Sequence, residues 1–367
     1  MTPPEEKCDE TRPPVGRLDS GEAVQPDLEM EAEQLPGPDD DELRTMAGWV
    51  RWGCTQIDPA DAGERLDRYL ARRFTYRSRT DWAQKIREGR IRIDERIIRP
   101  SYLLKTGDML QYRARLLPEP EVDADCPTVY EDDALLAVNK SGNIPVHPAG
   151  RYFRNSLLLQ LEEHKYGRGI LHIVHRLDRE TSGVILFTKS SAWARELSFQ
   201  FENRKIEKTY LAVVWGHLEN ERLIDLPLGQ NGQSKVRKAV GIVPGGRPSR
   251  TQVRPLSYGE KVTLVEARPL TGRLHQIRVH LRAIGHPILG DKLYGKDEEY
   301  FLKFLGGTPL SEEDYEDLGF RRQALHAWKI SIEHPVSKEL LEITAPPNSE
   351  LKALFEKFKL EFKDGSS

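Results

Sequence analysis

HRLDRETSG, residues 175–183, sets one aspartate, Asp178, between Arg176 and Arg179 and closes on Thr-Ser-Gly. The stretch before it, ILHIV (170–174), is apolar and β-prone, and so is GVILFTK (183–189) after it. Both flanks read as short buried strands. The polar nonapeptide is therefore a loop or sheet-edge segment between two core strands, where a rigid scaffold can hold a working side chain. Two readings stand open. Asp178 is a functional carboxylate, or Asp178 and Ser182 shape a turn by bonding their own backbone while the arginines sit in solvent.

Outward from this loop, strands and helices alternate. VYEDDALLAVNK (129–140) reads as a turn and a strand, residues 153–164 as a helix, and 191–204 as another helix. KTYLAVVWGHL (208–218), KVTLVEARPL (261–270) and QALHAWKISIEH (323–334) read as strands. TGRLHQIRVHLRAIG (271–285) reads as a helix capped by Thr271 and ended by Gly285. The expected fold is α+β: a large mixed, mainly antiparallel sheet with flanking helices, spanning 129–350 and followed by a C-terminal tail, 351–367.

The N-terminal third differs in composition. Residues 1–45 carry 14 acidic and 4 basic residues and seven prolines, so this segment is expected to be a disordered acidic tail. It is too acidic for a targeting peptide, and no apolar run approaches a membrane span; a cytoplasmic protein is expected. The whole chain has 55 basic and 58 acidic residues, but 46–117 alone has 16 against 9. The near-neutral total thus conceals a basic module of +7, which points to a polyanionic partner.

Within that module, GERLDRYLARRF (63–74) places Leu66, Tyr69, Leu70 and Phe74 at helical spacing, and SRTDWAQKIREGRIRI (78–93) starts at a capping Ser78 and stops at Gly89. Short strands follow through RIRIDERIIRP and KTGDMLQYRA. The small α/β segment 46–117 resembles the S-four-type (alpha-L) RNA-binding domain in its ordered pattern RLDRYL…IREGRIRID…KTGDML. Arg65, Arg68, Lys85 and Arg90 are its expected phosphate-facing residues. LLPEPEVDADCPT (116–128) is rich in proline and acid, and 118–128 reads as the linker to the next domain.

The loop itself carries a second resemblance. HRLDRETSG is similar to the H-R-L-D-x-x-T-S-G signature of the RluA-type pseudouridine synthases, which isomerise uridine within RNA. KTY (208–210), TGRLHQIRVHL (271–281), GHPILGDKLYG (285–295) and QALHA (323–327) follow in the family's order, over about 129–345. Several ordered motifs are far more specific than one short match. The resemblance implies that Asp178 is the essential aspartate, that Tyr210 lies under the flipped base, and that Arg273 pairs with Asp178. It also implies that Arg176 enters the RNA stack where the target base leaves it. His275 and Arg278, on one helical face with Arg282, are expected phosphate contacts or structural pairs. The isomerisation calls for no cofactor and no metal, and the sequence contains no C-x-x-C, H-E-x-x-H, P-loop or dinucleotide signature. The expected partner is structured RNA, bound by a monomer.

Competing readings leave traces. His175 and Ser182 beside Asp178 suggest a hydrolase triad, but no nucleophile elbow surrounds them. A binding-only protein with an idle site would be expected to have lost Asp178, Tyr210 or Arg273. The basic N-terminal module leans toward ribosomal RNA, whereas PVHPAGRY (145–152) is similar to the branch that includes transfer-RNA enzymes. Lys140-Ser141 stands where many relatives read Lys-Pro, and GGTPLSEEDYEDLGF (306–320) looks like an insertion.

Overall fold

In the computed structural model the described residues are 51–74, 78–114, 119–149, 152–236, 239–305 and 308–363. The expected acidic tail, 1–45, lies outside them. The chain divides into two units, 1–118 and 119–367.

The first unit contains β1 (Arg51–Gln56), α1 (Leu66–Arg73), α2 (Arg79–Arg87), β2 (Ile91–Ile93), β3 (Arg96–Ile97) and β4 (Met109–Ala114). Its strands pair antiparallel in the order β1-β4-β2-β3. The helical spacing delivers Leu66, Tyr69 and Leu70 from α1, and Trp82 and Ile86 from α2, to one core with Ile91, Ile93 and Leu110. Ser78 caps α2 as the sequence implies: its Oγ accepts from the Asp81 N–H while the Asp81 carboxylate accepts from Ser78 N–H.

The second unit runs β5 (Thr128–Glu131), β6 (Leu135–Lys140), α3 (Leu157–Leu161), β7 (His172–Ile173), β8 (Ser182–Thr188), α4 (Ser191–Glu202), β9 (Glu207–Trp215), β10 (Arg222–Asp225), β11 (Leu228–Gln230) and β12 (Val240–Ile242). It continues through β13 (Arg250–Tyr258), β14 (Val262–Pro269), α5 (Gln276–Ala283), α6 (Glu299–Leu305), α7 (Glu312–Leu318), β15 (Leu325–Glu333), β16 (Leu340–Thr344) and α8 (Ser349–Lys357). Ten strands form one sheet in the order β10-β13-β14-β9-β15-β8-β6-β5, with β16 on β15 and β7 on β8. All pairings but β8 with β15 are antiparallel, so the architecture is the expected α+β one.

The central strands are covered on both faces, which is why they read as unbroken apolar runs rather than alternating ones. In β8, Val184 and Leu186 enter one core cluster while Ile185 and Phe187 enter another. β6 divides the same way, Leu135 and Ala137 against Leu136 and Val138. Each large side chain so buried contributes roughly 1.5–3 kcal/mol, and together they fix the ends of β8 at the HRLDRETSG loop.

Gly183 explains how that loop closes. It has φ +110, and a Cβ there would meet the Ala327 carbonyl oxygen at 2.2 Å, because β8 and β15 pair in parallel with Ala327 opposite Gly183. Only glycine fits the conformation and the approach together.

Part of the expected C-terminal tail belongs to the fold instead. Leu351, Leu354 and Phe355 of α8, with Leu360 beyond it, are buried in the core cluster over β9, β14 and β15. Their i, i+3, i+4 spacing makes an amphipathic helix with a face to bury. The 306–320 segment includes a helix, α7, whose Ser311 and Asp314 form a capping box.

Candidate active site

Asp178 sits between β7 and β8 on a turn closed by the Thr181 N–H bond to the Asp178 carbonyl, 3.0 Å. Its carboxylate bonds side chains from two distant segments. Arg278 of α5 donates through Nη1 to Oδ2 at 2.7 Å, and Gln323, just before β15, donates to the same oxygen at 3.3 Å. His275 Nε2 stands 3.8 Å from Oδ1. The Asp178 side chain keeps 28% of its surface open, so it faces both a buried cation and solvent.

Arg278 is shared. Its Nε and Nη2 bond both oxygens of Asp291, at 2.7 and 2.9 Å. Asp291 is fully buried and also accepts from the Leu293 and Tyr294 N–H groups. The Tyr294 ring lies under the guanidinium, 4.8 Å from centroid to carbon. A guanidinium held on three sides has a fixed orientation, which it passes to the Asp178 carboxylate.

The electrostatics follow from this arrangement. Burial by itself raises the Asp178 carboxyl, but the charges of His275 and Arg278, with the bonds from Arg278 and Gln323, outweigh it and hold the group down at about 2. His275 is itself lowered to about 4, by burial and then by Arg278, so at neutral pH Arg278 is the standing countercharge. His275 Nδ1 is 2.8 Å from the Tyr294 hydroxyl. Burial and then Asp178 push the Tyr210 phenol above its ordinary range. Tyr210 lies in β9 between Ala267 of β14 and Ala327 of β15, and packs on both main cores.

Two further charges of the loop, Arg179 and Glu180, are pinned. Arg179 bonds Asn143 and the Tyr152 hydroxyl, and Glu180 pairs with the buried Lys292 at 2.9 Å. Lys140 is fully buried and donates to the carbonyls of Ser141, Ile144 and Arg179 at 2.8, 2.9 and 2.9 Å. Burial brings its amine down to about 7.

Several sequence expectations need correction. Arg278, not Arg273, pairs with Asp178. The helix starts at Gln276, after His275 in the left-handed region with φ 53, and not at a cap on Thr271. Thr271 and the Arg273 N–H bond the Gln276 side chain instead, closing a turn that leaves Arg273 before the helix. The same register changes the expected phosphate contacts: Arg278 is shut between two carboxylates, and His275 is neutral at pH 7. Arg176 is exposed.

His175 accepts the Leu186 N–H at 3.0 Å and stacks on Phe201, and burial holds it down to about 3, so it is a structural acceptor. Ser182 is buried against His326 Nδ1 at 2.9 Å, with His326 Nε2 bonded to the Ala345 carbonyl. That pair ties β8 to β15 and to the end of β16, and it is closed to solvent.

In the first unit, Arg65 is bound to Asp67, and Lys85 and Arg90 both reach Glu88. Arg68 and Arg87 stay exposed. Arg65 and Arg87 line a shallow groove with Arg99, Ile97 and Ser101. Among the described residues, no group of three His, Cys, Asp or Glu side chains could hold a metal ion.

A family model for RNA pseudouridylate synthases matches residues 134–283, and one for the S4 domain matches 64–110. The ribosomal large subunit pseudouridine synthase C of Vibrio parahaemolyticus is 32% identical over 324 residues, covering 85% of this chain and 96% of that protein. The chain belongs to the RNA pseudouridylate synthase family. The enzyme of the same name from Yersinia pestis is 33% identical over 81% of this chain and 92% of its own. Among solved structures, human RNA pseudouridylate synthase domain containing 4 aligns at TM-score 0.50 and 26% identity, covering 64% of this chain and 94% of that one. The chain is an isomerase of this family carrying an S4 RNA-binding domain, and Asp178, Arg278 and Tyr210 all lie inside the matched region.

Proposed function

We propose that this chain isomerises uridines in large-subunit ribosomal RNA, with Asp178 as the catalytic carboxylate. The observation that carries the reading is the Asp178–Arg278–Asp291 chain, which holds one partly open carboxylate ionised and aimed. The bacterial relatives, ribosomal large subunit pseudouridine synthases, supply the RNA class.

The reaction breaks the bond from sugar carbon to base nitrogen, turns the base, and rejoins it through carbon 5. No atom is gained or lost. As the bond breaks, the sugar carbon becomes electron-poor, and an anion beside it can add to it or take a neighbouring proton. Asp178 supplies that anion, and Arg278 keeps it charged. Tyr210 stays protonated at neutral pH, so it serves as a stacking ring and hydrogen-bond donor near carbon 5 rather than as a resting phenolate. Arg176, exposed at the head of the loop, fills the gap the flipped base leaves.

Pseudouridine mapping tests the reading. The purified chain is incubated with large-subunit, small-subunit and transfer RNA, and new pseudouridines are located in each. Sites confined to large-subunit RNA are expected. Modification of transfer RNA alone, or of nothing, overturns the assignment.

A further inference from the structure

We propose that Lys208 and Arg273 form a subsite for one backbone phosphate of the RNA strand, next to the nucleotide that Asp178 acts on. The inference rests on the function proposed above and adds the residues that seat its substrate.

Lys208 lies two residues before Tyr210 in β9, so both side chains leave the same face of the sheet. Its stem crosses Phe201, with Nζ 5.5 Å from the ring centroid. The other face of the problem is Gly272, where a Cβ would stand 3.6 Å from Lys208 Nζ. Gly272 immediately precedes Arg273, and Phe201 stacks on His175 at 5.0 Å. The ammonium therefore lies between the head of the Asp178 loop and the turn that carries Arg273.

Neither cation has a counter-ion. Among the described residues, no carboxylate comes within ion-pair distance of Lys208 or Arg273, whereas the nearby buried cations are all satisfied. Arg278 has two aspartates, Lys292 has Glu180, Arg322 has Glu350, and Lys140 has three carbonyls. Arg273 Nε is buried and has no hydrogen-bond partner among the described residues. Burial lowers the Lys208 amine, with no neighbouring charge opposing it. Half-buried cations without a counter-ion are costly in a resting protein, and a phosphate supplies the missing charge. The guanidinium fork suits phosphate oxygens, with the ammonium as a second point charge.

The test is the salt dependence of binding to a large-subunit ribosomal RNA transcript, measured for the full chain with and without Lys208→Met/Arg273→Met. The double variant is expected to lose roughly 0.7–0.9 from the log–log slope, the value for one phosphate. Lys208→Arg/Arg273→Lys should keep the wild-type slope, and Lys352→Met on α8 serves as an unrelated surface control. An unchanged slope in the double Met variant, or an equal loss in the charge-conserving variant, overturns the subsite. Should the double variant fail to fold, Lys208→Met alone decides, because methionine keeps the stem against Phe201. Its affinity should fall at least about threefold at low salt and return to wild type near 0.4 M, where screening removes charge effects. A loss that persists at high salt marks Lys208 as structural. Pseudouridine formation by the wild type reads the underlying function separately. Full activity with an unaltered slope removes only the subsite, while no activity on any RNA removes the function as well.

Discussion

Arg278 holds Asp178 at 2.7 Å with one nitrogen while its other two bind the fully buried Asp291. One guanidinium thus links the Asp178 loop to the GDKLYG turn, and the two carboxylates share one cation. Replacing Arg278 by Met leaves Asp291 charged, buried and without its cation. The expected cost is about 3–5 kcal/mol of stability. Arg278→Lys keeps the charge but cannot span both acids, so activity should fall at least about tenfold while the loss of stability is smaller. Urea unfolding and single-turnover rates check both; equal stability of Arg278→Met and wild type would contradict the bridging role.

A second prediction concerns acid. His175, His275 and His326 are held to about 3, 4 and 4, below their ordinary 6.5, chiefly by burial. A folded-state value below the unfolded one means that unfolding takes up protons. Stability from these groups is complete above pH 6.5 and is lost as pH falls towards 4. Each contributes up to about 1.4 kcal/mol per pH unit inside that window. His175→Gln, which can still accept the Leu186 N–H, should flatten the curve by one proton's share. Chemical denaturation at several pH values between 4.5 and 7 tests this; an unchanged slope would mean that His175 is not neutral in the fold.

Tyr210→Phe keeps the ring and removes only the hydroxyl. RNA affinity should stay within about twofold, while completion of the isomerisation slows by roughly a hundredfold, the usual weight of a lost proton-handling group. Single-turnover formation of pseudouridine at the wild-type rate would confine Tyr210 to stacking.

Much of this site can be read from sequence because its centre is local. Asp178, the flanking strands and the closing Gly183 lie within one short stretch whose hydrophobic pattern marks loop and strands together. Tyr210 is singled out only by the resemblance of KTY and its companion motifs to the family, since a strand tyrosine by itself reads as core. The arginine partner could not. Arg273 and Arg278 stand in one motif, and which of them reaches Asp178 depends on where the helix begins. A start at Thr271 is suggested by capping preference, but the left-handed His275 and the Gln276 side chain move it to 276. Gln323 and Asp291 carry no local signal of their roles, since their contacts cross 145 residues to Asp178 and 13 to Arg278. α8 was mistaken for a tail because its charged residues hide the Leu351, Leu354 and Phe355 face that packs on the core.

The central claim is that Asp178 works as an anion rather than as a shaper of its own turn. Asp178→Asn keeps the shape and can still accept from Arg278 and Gln323, but it has no charge with which to attack the sugar or take its proton. Single-turnover pseudouridine formation under enzyme excess, with RNA affinity and melting temperature measured alongside, decides the matter. The account predicts a rate at least about a hundredfold below wild type, with binding and melting nearly unchanged. An asparagine variant that converts uridine within a few-fold of wild type contradicts it.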